Sequence, residues 1–171
     1  LNLCRWHTPL VRPSRRVPGG GAPESVSVAY TTGQTFKKGA LLAYVAAGTV
    51  SECGADPTLV AGVALENAGS KPGYDAANSP TVFTGRVQEV TMARANRQTI
   101  FTARFVTAAG GDPTTPTQTL INEQYGVAKD SNGQWYVDGD ETTAKVVEIV
   151  DFDADLKIVY VKFLEAVLDL P

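Results

Sequence analysis

The side chains that could support catalysis or bind a metal are few and scattered along the sequence. There is one histidine, His7, and there are two cysteines, Cys4 and Cys53. Cys4-x-x-His7 offers two zinc ligands but lacks the second pair that a structural zinc site needs. Because His7 lies in a segment that we expect to be a tail, Ser-His-Asp or Cys-His catalysis has no base held in place. The spacing of Cys4 and Cys53 does not establish a disulfide, and two free thiols are the simpler interpretation.

Carboxylates supply the remaining candidates. Asp130 and Asp138 flank a predicted hairpin, and Asp151, Asp153 and Asp155 alternate near a turn. Two facing carboxylates suit glycoside hydrolysis if one has a raised pKa, and alternating ones suit Ca²⁺, although the EF-hand glycine and distal glutamate are missing. Carboxylates in turns are more often solvated turn formers. Since no P-loop, GxSxG or HExxH motif occurs, the sequence predicts a protein that is not an enzyme and needs no metal or cofactor.

An aromatic pair is the most distinctive local feature. Trp135 and Tyr136 directly follow an Asn132-Gly133 turn signal. If they were exposed, the rings would suit a sugar-binding platform. The favoured alternative is that one ring packs in the core and the other covers its edge.

The first residues of the chain form a basic arm on an acidic body. The total net charge is −3, whereas residues 1–23 contain four arginines and no acid, so the remainder carries −7. Pro9, Pro13, Pro18 and Gly19-Gly20-Gly21 predict an extended arm over 1–24 that is joined flexibly to the body. Such an arm is either a disordered tail in the free protein or a segment that orders on an acidic or apolar protein neighbour. The candidate contact residues are Arg5, Trp6, Arg12, Arg15 and Arg16. Four arginines without lysines on an acidic protein argue against nucleic acid as a partner.

The remaining residues, 25–171, read as an all-β body. Hydrophobic residues make up 43% of the 171 residues, which is enough for a core, and no apolar run is long enough to suggest a membrane partner. Short alternating segments separated by turns predict a compact β-barrel or sandwich with few or no helices. Thr99–Thr107 is typical, with Phe101 and Phe105 facing inward. A helix at 87–97 is an alternative to a strand there, and a sub-division of the body near 108–119 is left open.

Two segments of this body resemble a known family. The first is Gly33–Leu42 followed by Ala61–Leu65, and the second is Tyr125–Asp138 followed by Lys145–Val150 and Val159–Leu164. Together they resemble the head decoration, or capsid cement, proteins of tailed bacteriophages. The positions that carry the more specific second match are Tyr125, Gly126, Asp130, Gly133, Trp135, Tyr136 and Asp138.

The resemblance implies a non-enzymatic viral structural protein. It would assemble in the host cytoplasm, sit on the outer surface of the virion capsid as a homotrimer, and bridge subunits of the major capsid protein to stabilise the head. Within this expectation the arm orders on the capsid or on an adjacent copy. The alternatives are a sugar- or receptor-binding β module of a phage particle and a tail-tube subunit.

Overall fold

A computed structural model of the chain describes residues 24–45, 48–69, 88–108 and 111–169, and the backbone alone of 12–16. The described residues form an all-β protein with two short 3₁₀ turns, Gln118–Leu120 and Glu165–Val167. None of the helices in these ranges is long and apolar enough to cross a membrane. The strands are β1 (Arg12–Arg16), β2 (Ser25–Ala29), β3 (Leu41–Tyr44), β4 (Val50–Glu52), β5 (Gly62–Ala64), β6 (Glu89–Arg94), β7 (Thr99–Val106), β8 (Gln124–Lys129), β9 (Trp135–Asp138), β10 (Val147–Asp153) and β11 (Ile158–Phe163).

The last five strands close into a barrel, which we call the C-terminal barrel. Its order is β7-β11-β10-β8-β9, and β9 returns to pair with β7 in parallel while all other neighbours are antiparallel. Because β11 occupies one edge of β7, the other edge is shared by two strands. β9 pairs there with Phe105 and Val106, and β1 pairs antiparallel with residues 99–102.

The five strands before them form the N-terminal sheet, in the order β2-β6-β5-β3-β4. Neighbours in this sheet are all antiparallel. A parallel bridge between Tyr30 and Val50, with Thr31 N donating to Val50 O at 2.9 Å, brings the two outer strands together. The sheet is therefore rolled up, with its ends touching at a single point.

The two units share one topology. If the strands of each are counted in chain order, both run first, fifth, fourth, second, third, and in both the third strand meets the first in parallel. In both, five residues of sequence separate the second strand from the third: 45–49 in the N-terminal sheet and 130–134 in the C-terminal barrel. The body is thus built from two structural copies of one five-stranded pattern.

This division differs from the one considered from the sequence. The change of sheet falls between β6 and β7, at residues 95–98, and not near 108–119. The latter segment connects β7 to β8 within the C-terminal barrel, where Thr114 N donates to Phe105 O at 2.8 Å and the Thr107 and Thr114 hydroxyls are 2.8 Å apart. Its glycines, prolines and threonines serve a long loop that folds back on its own strand.

Strand patterning follows burial of alternate side chains. Phe101 and Phe105 are buried, as the alternation in β7 predicts. The helical alternative for 87–97 is wrong, because β6 occupies that segment with Val90 and Met92 buried and Thr91 between them facing outward. A period of two, with β-branched residues, favours the strand. Residues 81–87, whose sequence also predicts a strand, lie outside the described residues.

One continuous core joins the two units. The buried side chains of both form a single cluster. The largest of its most completely buried side chains are those of Trp135, Phe101, Leu41, Leu42 and Met92. Gly62 permits the tightest approach in it: a Cβ there would overlap the Ala93 carbonyl oxygen and lie 3.1 Å from Met92 Sδ. A glycine inside a strand often marks such a close approach of two backbones.

Candidate functional site at the junction of the two units

The segment with the more specific resemblance forms the β8–β9 hairpin. Asp130 organises its turn: Oδ1 accepts hydrogen bonds from Asn132 N at 2.8 Å and Gln134 N at 2.9 Å, and Oδ2 accepts one from Arg104 Nη2 at 3.0 Å. Gly133 has φ +77°, a conformation that favours glycine. The Asn-Gly hairpin prediction is confirmed, and Asp130 is its central acceptor.

The environment of Asp130 favours its ionised form. Burial acts to raise the pKa of the carboxyl, but the hydrogen bonds from Gln134, Arg104 and Asn132 and the charge of Arg104 outweigh it, so the pKa lies below its usual value. A lowered pKa suits a structural carboxylate. It is the opposite of what a general acid of a glycosidase requires.

The aromatic pair is buried. Trp135 and Tyr136 expose only 2% and 3% of their surface, so neither ring offers the exposed platform that sugar binding requires. Trp135 Nε1 donates to Glu52 Oε1 of the N-terminal sheet at 3.0 Å. Lys129 Nζ lies 3.3 Å from the same oxygen and 5.9 Å from the centroid of the indole ring. The ring therefore packs in the core and fastens one unit to the other through its polar edge.

A second polar contact lies beside it. Lys37 Nζ, from the N-terminal sheet, donates to the Asn132 carbonyl oxygen at 3.0 Å, on the turn that Asp130 organises. The β8–β9 hairpin thus meets the N-terminal sheet at its turn and at the first residue of β9.

The end of the C-terminal barrel makes the other connection. After β11 the chain crosses to the N-terminal sheet, where Val60 N donates to Val167 O at 2.7 Å and Asp169 N donates to Val60 O at 3.0 Å. Asp169 Oδ2 accepts from Tyr44 N at 2.7 Å. Two independent connections and a continuous core therefore join the two units.

The other motif residues also build the barrel. Gly126 N donates to Glu141 O at 2.8 Å, and a Cβ at Gly126 would overlap the Glu141 side chain. Tyr125 packs edge-on against Phe105 with ring centroids 5.5 Å apart, and burial, followed by the charge of Glu123, raises its pKa. Asp138 Oδ1 accepts from Asp140 N at 3.0 Å. The structure brings all seven motif positions into this hairpin and its immediate support.

The remaining candidates for catalysis or metal binding are the aspartates near the last turn and Cys53, and the aspartates accept hydrogen bonds from nearby backbone amides. Asp153 Oδ1 accepts from Leu156 N at 2.9 Å and Asp151 Oδ1 from Phe152 N at 2.9 Å, as turn and strand-end residues do. Within the described ranges no group of three His, Cys, Asp or Glu side chains is placed to hold a metal. Cys53 is a buried free thiol, and burial, then the charges of Glu52 and Asp169, raises its pKa to about 12.

The predicted arm contacts are only partly described. Arg12, Arg15 and Arg16 belong to β1, of which the backbone alone is described, and Arg5 and Trp6 lie outside the described residues, as do Cys4 and His7. The arm is extended at β1, as predicted, and this part of it pairs with a strand of its own chain.

Sequence reasoning missed two residues that matter here. Glu52 receives Trp135 and Lys129 from 83 and 77 positions away, and no local pattern marks such a partner. Arg104, whose alternation in β7 placed it away from Phe101 and Phe105, is the cation that Asp130 requires. Comparison with protein-family models and with curated proteins finds no match to this chain.

Proposed function

We propose that the protein is a head decoration, or cement, protein that binds the outer surface of a tailed-phage capsid as a homotrimer and bridges major capsid subunits. The proposal starts from the sequence resemblance of residues 33–65 and 125–164 to that group of proteins. The site is then a binding surface on the virion, and the chain performs no chemistry.

One structural observation supports the proposal most directly. The segment with the more specific resemblance, Tyr125–Asp138, is a hairpin that locks two β units into one body through Glu52. A protein that bridges capsid subunits must carry load between its contact surfaces without changing shape. Two units that share a core, a part-buried Trp135–Glu52 contact and a crossing C-terminal segment meet that mechanical requirement.

In this proposal the arm contacts the capsid. It carries four arginines and no acid, a composition that suits recognition of an acidic neighbour. β1 attaches residues 12–16 to β7, which gives residues 1–11 a defined starting point on the C-terminal barrel. A short tethered segment of this kind adds contacts at high effective concentration once the body has bound.

The first test combines mass and binding. Light scattering gives the oligomeric state, and co-sedimentation with purified phage heads that lack their decoration protein gives binding. We expect a trimer, or a multiple of it, that sediments with heads. A monomer that stays in the supernatant contradicts the proposal, rings or tubes favour a tail-tube subunit, and a protein that binds glycans but not heads favours receptor binding.

The arm is tested with matched deletions. Removing residues 1–11 leaves β1 in place, whereas removing 1–23 also uncovers β7. We expect both variants to remain folded. We expect deletion of residues 1–11 to be sufficient to weaken binding to heads, and the double substitution Arg5→Glu with Trp6→Ala to reproduce that loss. Unchanged binding of the 1–11 deletion removes the arm from the proposal and leaves the body as the contact surface.

A further inference from the structure

The shared topology of the two units makes β2 the counterpart of β7. In the C-terminal barrel the free edge of the first strand is covered twice, by β9 at Phe105 and Val106 and by β1 at residues 99–102. In the N-terminal sheet the Tyr30–Val50 bridge corresponds to the pairing of β9 with β7. Among the described residues no strand takes the place of β1 beside Ser25–Ala29.

The backbone groups of this edge alternate in direction. Arg94 N donates to Glu24 O at 2.9 Å and Tyr30 N donates to Gln88 O at 2.7 Å, so residues 24, 26, 28 and 30 direct their amides and carbonyls toward β6. Ser25, Ser27 and Ala29 therefore direct theirs away from the sheet. Among the described residues no strand pairs with this edge at Ser25 and Ser27, and beyond them the edge meets Val50 through the bridge at Tyr30.

The strand also lacks the features that protect a sheet edge. Ser25–Ala29 has no proline and no charged residue, whereas exposed edges in monomeric proteins usually carry one. The Ser27 hydroxyl is 3.2 Å from Glu89 Oε2 on the neighbouring strand, so it lies on the sheet face and leaves the edge open. Both serines are exposed and the valines between them are half-buried against the core.

We propose that β2 is a strand-addition edge and that its occupant is β2 of a second copy of this chain, antiparallel about a two-fold axis. The alternating Ser-Val-Ser-Val sequence is self-complementary. With Val26 opposite its own counterpart, Ser25 faces Ser27 of the second copy, and the serines share one face and the valines the other. Four backbone hydrogen bonds form, from the amides of Ser25 and Ser27 in each copy.

Charge does not oppose this pairing at the strand itself. Glu24, the nearest acid, lies 3.5 Å from Arg94 in its own sheet and falls opposite Val28 of the second copy. No like charges meet across the axis, which is the usual obstacle to isologous strand pairing. The inference does not depend on the proposed function, since the pairing doubles whatever oligomer the rest of the surface forms.

Amide exchange of the wild-type protein gives a test with an internal control. Between dilute and concentrated samples we expect the Ser25 and Ser27 amides to slow by about tenfold or more. The Val26 and Val28 amides, which face β6, stay protected at both concentrations. Ser25 and Ser27 amides that exchange freely at high concentration overturn the proposal.

Mass measurements on variants identify the occupant. Ser27→Pro removes an amide that faces the edge, so no bond to β6 is lost, while Ser27→Ala keeps that amide. We expect the mass of the wild type and of Ser27→Ala to be twice that of Ser27→Pro. The same mass for all three overturns the proposal. If Ser27→Pro does not fold, Ser25→Lys with Ser27→Lys places lysines opposite each other and must halve the mass instead.

A deletion of residues 1–16 distinguishes pairing between two β2 strands from binding of another copy's arm to β2. The arm covers the equivalent edge on β7, so it is the competing occupant. We expect the deletion to leave the Ser25 and Ser27 amides protected at high concentration. Loss of that protection assigns the edge to the arm and overturns pairing between the two β2 strands.

Discussion

Replacing Asp130 tests whether the hairpin that joins the two units depends on one carboxylate. The side chain accepts two backbone amides of its turn and the Arg104 guanidinium, at 2.8–3.0 Å. Asp130→Ala removes all three acceptor contacts and leaves Arg104, whose side chain is only 29% exposed, without its counterion. Asp130→Asn keeps an oxygen for the turn but turns an amide or a neutral oxygen toward the guanidinium.

The expected cost follows from the type and exposure of these bonds. A hydrogen bond to a charged group contributes about 1.5–3 kcal/mol. The donating amides belong to Asn132, which is exposed, and Gln134, which is half-buried, so water can reach them after the substitution and each bond contributes at the low end of this range. We therefore expect Asp130→Ala to lower the free energy of unfolding by about 4 kcal/mol and Asp130→Asn by about 1–2 kcal/mol.

Urea unfolding followed by circular dichroism measures both values. Asp155→Asn is the matched control, because Asp155 is an exposed turn carboxylate and its loss should stay within about 0.5 kcal/mol. A double-mutant cycle with Arg104→Met isolates the ion pair, for which we expect a coupling of about 1 kcal/mol. If Asp130→Ala costs no more than Asp155→Asn, the hairpin does not depend on this carboxylate.

The difference in stability between the wild type and Asp130→Asn should also depend on pH, with a sign that follows from the structure. The pKa of Asp130 is lower in the folded protein than in the unfolded chain. The contribution of its carboxylate to the free energy of unfolding is therefore fully present above the unfolded-chain pKa, and it is lost as the pH falls through the lower folded-state value. The stability difference between wild type and Asp130→Asn should therefore be constant at neutral pH and shrink below about pH 4. A difference that stays constant down to pH 2 would contradict this account.

Two further predictions concern the core. Gly62→Ala should lower the free energy of unfolding by about 2–3 kcal/mol, as measured by urea unfolding. The reason is that the new Cβ would meet the Ala93 carbonyl oxygen, which cannot move without displacing β6. A loss under about 0.5 kcal/mol would show that the two strands can separate. Cys53 is buried, and its pKa is raised to about 12. It should therefore resist iodoacetamide at pH 8 in the folded protein and react in urea, which peptide mass spectrometry measures. Rapid labelling of the native protein would mean that β4 opens readily.

What the sequence could predict here is local. Alternation identified β7 and its inward residues, and Asn132-Gly133 located a hairpin, because each signal depends on neighbours a few positions apart. The choice of strand over helix for β6 needed burial of Val90 and Met92 by other strands, which no window of the sequence contains.

The candidate site shows the same limit more sharply. Trp135 and Asp130 were identifiable as unusual positions, but their roles are set by Glu52 and Arg104, which arrive through strand pairing over 83 and 26 positions. The division at 95–98 was missed because a short polar link separates the units, whereas the longer Gly- and Pro-rich loop lies within one of them. The assignment to phage heads remains a prediction from the resemblance.

The segment that crosses from the C-terminal barrel to the N-terminal sheet bears on the order of events during synthesis. Val60 leaves the ribosome more than one hundred residues before Val167 and Asp169, which are its backbone partners. The first half of the chain therefore emerges with this position unpaired and waits for the second half before its hydrogen bonding is complete. A nonsense mutation shortly after β11 would spare every strand and yet damage the half that was translated first.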